Sequence, residues 1–170
     1  MRPTQKIRRT AIAVLLVLGS AIAADAQQDG SSGLPLPRFV SLRAGEVNLR
    51  TGPGVQYPIE WIYQKQSLPV EIIAEHTTWR KIRDWEGAQG WAHQSMLGAK
   101  RSMIVIGGTR NVYRKPDAAA PVVARVEPGV IGKLAACPDG TDWCRVEIEG
   151  LEGWIKRSDF WGVYRGEVLE

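Results

Sequence analysis

VNLRTGPGVQYP, residues 47–58, places Arg50 and Thr51 directly before Gly-Pro-Gly and follows the turn with Tyr57 and Pro58. Glycine opens backbone angles closed to other residues, and proline restricts a loop's freedom. A stiff turn between two strands is therefore expected, with Gly52 and Gly54 supplying unusual angles. Its side chains carry two open readings. In one, Arg50 pairs with a carboxylate and only rigidifies the turn. In the other, Arg50 and Tyr57 wall a binding groove, because a planar guanidinium suits a carboxylate and an aromatic ring suits the flat face of a peptide or sugar.

Beyond this stretch the chain repeats itself. Arg50 and Arg114 stand 64 positions apart, as do Trp79 and Trp143. Pro58 and Pro121 stand 63 apart, as do Gly90-Trp91 and Gly153-Trp154. Several matches at nearly one offset mark two copies of one unit, each roughly 60 residues long. LPVEIIAE, TWRKIRDW and QGWAH read as strands in the first copy; VIGKLAAC, DWCRVEIE and EGWIK answer them in the second. Glu86-Gly87, Glu149-Gly150 and PDGTD mark the turns.

Alternation assigns the faces. Cys144, Val146 and Ile148 share one side of their strand and should meet the core, which turns Trp143 outward. The same count sends Ile82 inward and Trp79 outward. Trp91 and Trp154 are expected as packing residues, because large aromatics dominate small cores. Trp85 reads as cover before a hairpin turn, and Trp161 as interface or core. Five or six short strands with one buried face predict an all-β fold of two small, partly open barrels in tandem. A barrel this small buries only about 60% of its unfolded surface, so the two should pack together. The tail FWGVYRGEVLE is expected to add a strand or an interface strip, and RSMIVIGGTR to connect the copies, with a strand-like run over residues 103–106 and a bend at Gly107-Gly108.

The ends of the chain read differently. A basic start (MRPTQKIRRT), an apolar run (AIAVLLVLGSAIA) and the small-x-small ADA describe a secretory signal over residues 1–26, cut after Ala26. The apolar run is short of the ~20 residues that span a bilayer, so no membrane span is expected after cleavage. Residues 27–37 are rich in Gly, Ser and Pro and read as a flexible leader. The domains then follow as residues 38–100 and 101–170, the second with an extra C-terminal strand. The full chain has 22 basic and 18 acidic residues, but without residues 1–26 these become 18 and 17. The high pI thus belongs mostly to the leader, and nucleic acid is not an expected partner. Residues 38–101 keep a mild excess, nine basic to six acidic.

In an exported chain the pair Cys137 and Cys144 favours a disulfide; two reduced thiols is the other reading. Two cysteines without a nearby histidine do not make a metal site. No catalytic set assembles: the histidines, His76 and His93, share neither a cysteine nor an HExxH spacing. Glu147 and Glu149 suit a solvated strand face, and Asp139 and Asp142 suit a turn. No enzyme activity, cofactor or metal is expected.

Asn-x-Arg-x-Gly-Pro at residues 48–53, the strand opening with Trp79, and Gly90-Trp91 before a short turn together resemble the bacterial Src-homology-3-like (SH3-like) domain. The second copy keeps DWCRV and GWIK but has lost the glycines of the tip. The resemblance implies a small five-stranded barrel in a non-catalytic module that holds cell-wall peptide or a protein partner. Ligand binding would use the groove between the loop after the first strand and the opposite hairpin. Carried onto this chain, that groove is lined by Arg50, Tyr57, Trp61 and Trp79. The expectation is a periplasmic or secreted binding module for peptidoglycan peptide or glycan. Its alternative is an envelope protein-interaction or assembly module that binds no wall.

Overall fold

Each copy of the repeat builds one antiparallel sheet, and the computed structural model describes both across residues 32–170. The proposed signal and residues 27–31 of the leader lie outside the described residues. The first sheet comprises β1 (Arg38–Leu42), β2 (Val47–Arg50), β3 (Ile59–Tyr63), β4 (Pro69–His76), β5 (Trp79–Arg83), β6 (Gln89–His93) and β7 (Leu97–Gly98). Its order is β3-β2-β6-β5-β4-β1-β7. The second comprises β8 (Ser102–Val105), β9 (Arg110–Tyr113), β10 (Val122–Val126), β11 (Ile131–Ala136), β12 (Trp143–Ile148), β13 (Leu151–Lys156) and β14 (Phe160–Trp161). Its order, β10-β9-β13-β12-β11-β8-β14, repeats that of the first. Neither sheet closes on itself, so each copy is an open version of the expected barrel. A short 3-10 turn, Gln94–Met96 or Arg157–Asp159, precedes each last strand. Among the described residues no helix is long and apolar enough to cross a membrane.

The alternation read from the sequence holds in β12, where Cys144, Val146 and Ile148 are buried. In β5 Ile82 is buried and Trp79 is not. The strand-like run within RSMIVIGGTR forms Ser102–Val105, the first strand of the second sheet, paired with β11 and β14. Three consecutive apolar residues there face neighbours on both sides, because Ile104 turns away from its own copy into the core of the first.

The two copies therefore share a core. Ile104, 1% exposed, joins Leu42, Leu49, Val70 and Ile82, with Ile106, Ile131 and Trp161 packed against the same cluster. Phe39 meets Trp161 edge-on at 4.6 Å and Tyr164 at the same distance. The Tyr164 hydroxyl donates to Glu71 Oε1 at 2.7 Å, and Glu71 is only 3% exposed. Burial first, and then this bond to an anion, push the Tyr164 hydroxyl pKa well above its ordinary value. In the tail, β14 occupies the place that β7 has in the first copy, and Trp161 and Tyr164 form the junction.

A second symmetry appears at the β4–β5 and β11–β12 hairpins. Ala74 pairs with Lys81 and Ala136 with Arg145, so the next pair along is Glu75–Arg80 in one copy and Cys137–Cys144 in the other. The disulfide of the second copy, formed as expected, thus stands where the first has an ion pair. Arg80 is an inward-facing cation, 5% exposed, with Glu75 at 3.1 Å and its other donors on Thr77 O and Gln94 Oε1. Glu75 also accepts from Arg38 and from the Ser32 backbone and hydroxyl, so the leader from Ser32 onward is fastened rather than loose. Burial alone would raise the Glu75 pKa. The bonds from Arg38 and Ser32 outweigh it and hold the carboxyl below its usual range.

Two outcomes follow. A Cβ at Gly153 would lie 2.4 Å from Val112 Cγ1 and 2.9 Å from the Tyr113 carbonyl, a backbone atom that cannot step aside. Gly153→Ala should lower stability by about 2–3 kcal/mol in urea denaturation. Glu75 has a depressed folded pKa, so its contribution is complete above the unfolded value of about 4.3 and fades as pH falls through the folded one. Stability measured against pH should be level near neutrality and fall below about pH 4.5, and Glu75→Gln should flatten that acid limb.

Candidate functional site

The register of the first sheet decides which side chains share its outer surface. Directly opposed residues on antiparallel strands point the same way. Arg50 pairs with Trp91, Trp91 with Lys81, and Trp79 with His93. Arg50, Trp91, Lys81, Trp79 and His93 therefore form one outward patch across β2, β6 and β5. Trp79 is half-buried and meets His93 edge-on at 5.4 Å. Trp91 belongs to neither core cluster. The packing role expected for Trp91 and Trp154 is thus not what the structure shows. The glycine before each points inward and lets β2 or β9 pass; the tryptophan takes the next position, outside.

At residues 51–58 the turn is held from within. Arg50 Nη1 donates to the carbonyls of Val55 at 3.1 Å and Tyr57 at 2.7 Å. Thr51 N–H bonds Pro58 O at 3.1 Å across the loop's neck. Arg50 is a clasp for the loop tip, and its partners are carbonyls, not the carboxylate anticipated. The glycines matter for space and not for backbone angle, since neither Gly52 nor Gly54 has a positive φ. A Cβ on Gly52 would fall 2.4 Å from the Tyr57 ring, which lies against this glycine. Tyr57 remains 39% exposed.

The structure brings Arg50 and Tyr57 together and joins Arg50 to Trp79 through Trp91. It does not bring in Trp61. That residue pairs with Leu49, a core residue, and so points to the side opposite Arg50, where it is 57% exposed on the edge strand. Ile59 and Ile62 are exposed on the same strand.

The second copy repeats the outward patch with altered chemistry. Trp154 pairs with Tyr113 and Arg145, and Trp143 with Lys156. The counterpart of Arg50 is therefore Tyr113, not Arg114: Arg114 N–H bonds Pro121 O as Thr51 bonds Pro58 O. Tyr113 meets Trp143 edge-on at 5.4 Å, and the Lys156 ammonium lies 5.6 Å from the Trp143 ring centre. The hairpin around PDGTD is two residues longer than its counterpart, so the spacing between the copies rises from 62 at Ala74 and Ala136 to 64 at Lys81 and Arg145. Clefts of about 670 and 340 Å3 open beside this patch.

With this geometry in hand, the family is plain. The model described as the bacterial SH3 domain matches residues 43–98 and again 107–162. The chain belongs to that family and carries the domain twice. It is 22% identical over 128 residues to the Bacillus subtilis (strain 168) protein named "Putative N-acetylmuramoyl-L-alanine amidase YrvJ", covering 65% of this chain and 24% of that protein. Two solved structures, NlpC2 and NlpC1 from Trichomonas vaginalis, align at TM-scores of 0.34 with 13% and 12% identity. They cover 75% and 76% of this chain, which spans 48% and 47% of theirs. The chain thus spans about a quarter of the curated relative and about half of each structure.

Because Arg50 closes the loop from inside, Arg50→Ala should speed hydrogen exchange at Thr51 and Tyr57 while leaving β4 and β5 protected. The loss in stability should be about 1–2 kcal/mol, the range for a charge-assisted bond at a partly exposed site.

Proposed function

We propose that this protein is an exported, non-catalytic module of the cell envelope, periplasmic or secreted, that binds peptidoglycan peptide or glycan. Tyr57, Trp79 and Trp91 supply the contact surface of the first copy, and Arg50 holds the loop that presents Tyr57. The observation that carries the reading is the outward tryptophan pair in each copy, set beside Lys81 in one and Lys156 in the other. Small cores recruit large aromatics, yet here strand pairing places Trp79, Trp91, Trp143 and Trp154 on the outer faces. Half-exposed indoles beside cations suit a ligand with flat apolar faces and carboxylates. Membership of the bacterial SH3 family and likeness to a protein named for an amidase of the muramoyl–alanine bond support a wall ligand.

A second reading has its own observation. Ile59, Trp61 and Ile62 expose apolar surface on an unpaired strand edge, which suits addition of a partner's strand. In that case the protein is an assembly module of the envelope.

Sedimentation with purified peptidoglycan separates the two. The chain should co-sediment, and Trp79→Ala should reduce the bound fraction about tenfold, equivalent to roughly 1.4 kcal/mol. Equal retention of the variant, or none of the parent, would reject the wall reading. A photo-cross-linker at position 61 that captures one envelope protein reproducibly would then support the assembly reading.

A further inference from the structure

The cleft beside Trp143 is not a feature of the shared domain alone. Asp142, Trp143, Lys156 and Ser158 form one side, and Val163 and Arg165 form the other. The family match ends at residue 162, so the second wall is built by this chain's own tail. In the first copy the corresponding stretch continues into β8, and His93 stands where the second copy has Lys156.

The wall is firmly held. Arg157 Nη1 donates to Glu167 O at 2.6 Å, Nε to Thr141 O at 3.1 Å and Nη2 to Pro138 O at 3.2 Å, tying the tail to the disulfide hairpin. Leu169 and Cys137 exchange backbone bonds of 3.1 and 2.8 Å, and Arg101 clamps Glu167 from the other side. Burial would raise the Glu167 pKa, but the bonds from Arg101 and the Tyr164 backbone outweigh it and keep the carboxyl ionised. The eight residues of tail, 163–170, are thereby fastened before any ligand arrives, which limits the ordering cost of binding.

Charge selects the ligand. Among the described residues Lys156 and Arg165 join no ion pair, and the Arg157 donors go to carbonyls, although its charge also acts on the Glu167 carboxylate. Three cations thus face a cleft whose lining holds one carboxylate, Asp142. We propose that this cleft binds a small carboxylate ligand with an adjacent N–H. The carboxylate lies between Lys156 and Arg165, the N–H donates to Asp142, and the hydrocarbon part rests on Trp143 and Val163. Two sources share this chemistry: the free C-terminus of a peptide, and an N-acetylated sugar acid. The proposal stands whether or not the first copy binds the wall.

Titration of the purified chain, followed by the indole N–H signal of Trp143 in NMR spectra, tests it. The probes are N-acetyl-alanyl-alanine, its C-terminal amide and N-acetylmuramic acid. Trp143→Phe assigns the signal. The exposed cations predict weak binding, with Kd on the order of a millimolar. Binding should weaken at least about tenfold in Lys156→Gln/Arg165→Gln, whose first-copy signals should stay in place and so report an intact fold. A shift with the dipeptide acid alone assigns the peptide terminus, with the sugar acid alone the glycan, and with both the shared group. The proposal is overturned if neither acid moves the signal, if the amide binds as well as the acid, or if the double variant binds unchanged.

Discussion

Everything on the outer surface depends on two places where the chain has no side chain. Gly90 and Gly153 lie beneath β2 and β9, with Leu49 and Val112 filling the volume that a Cβ would need. The crossing strand comes close enough for its own carbonyl, that of Arg50 or Tyr113, to stand about as near as an atom could. Because a strand alternates, an inward glycine forces the following residue outward. That residue is tryptophan in both copies. The core therefore gains an aliphatic side chain from the neighbouring strand, and the surface gains an indole in register with Trp79 or Trp143. One packing constraint thus creates both the shape of the fold and its aromatic face.

The same hairpin position is closed by different chemistry in the two copies. Glu75 and Arg80 form a buried pair that works only because Arg38, Ser32, Thr77 and Gln94 satisfy the remaining donors and acceptors. Removing charges from water costs more than their attraction returns unless such extra bonds are present. The disulfide needs none of them, and its place in the second copy is correspondingly apolar, with both cysteines fully buried. The neighbouring segments follow from this difference. An ionic staple recruits a polar strap, residues 32–38, while a covalent staple leaves its backbone free to pair with Leu169. The charge pair beside it is also reversed, Glu71 with Arg83 in one copy and Lys133 with Glu147 in the other. The Tyr164 hydroxyl donates to the first of these pairs, at Glu71.

Strand content, the repeat and the inward set of β12 were legible because period-two alternation and Gly-bearing turns are local signals. Arg80 was not: nothing local distinguishes a cation buried against Glu75 from one on the surface, since its partners come from three other segments. Size alone would send Trp91 to the core, whereas the phase of its strand, counted from the inward Gly90, puts it outside. Arg114 matches Arg50 in residue type at the spacing of 64 that holds for Trp79 and Trp143, whereas strand pairing sets the spacing at 63 here and makes Tyr113 the counterpart. The outer patch could be half-read. Trp79 announced itself through its phase, whereas the clasp formed by Arg50 depends on loop carbonyls that only the folded turn brings together. The tail was legible as an interface strip but not as a wall beside Trp143, because its last eight residues carry no motif and gain that meaning only where they dock.

The shared core has a consequence for any polymeric ligand. Domains joined by a flexible linker reorient freely and add avidity over a range of spacings. Here Ile104 of the second copy is fully buried in the first copy's core, and Phe39, Trp161 and Tyr164 close the junction around it. Turning one copy against the other would expose those rings and leave the Glu71 carboxylate without its tyrosine. The two outward faces are therefore held at one separation and one angle. Under the proposed function, a chain that offers its groups at that spacing gains from both faces, and one that does not gains from a single face. Discrimination among repeating ligands would then reside in the junction as much as in the residues that touch them.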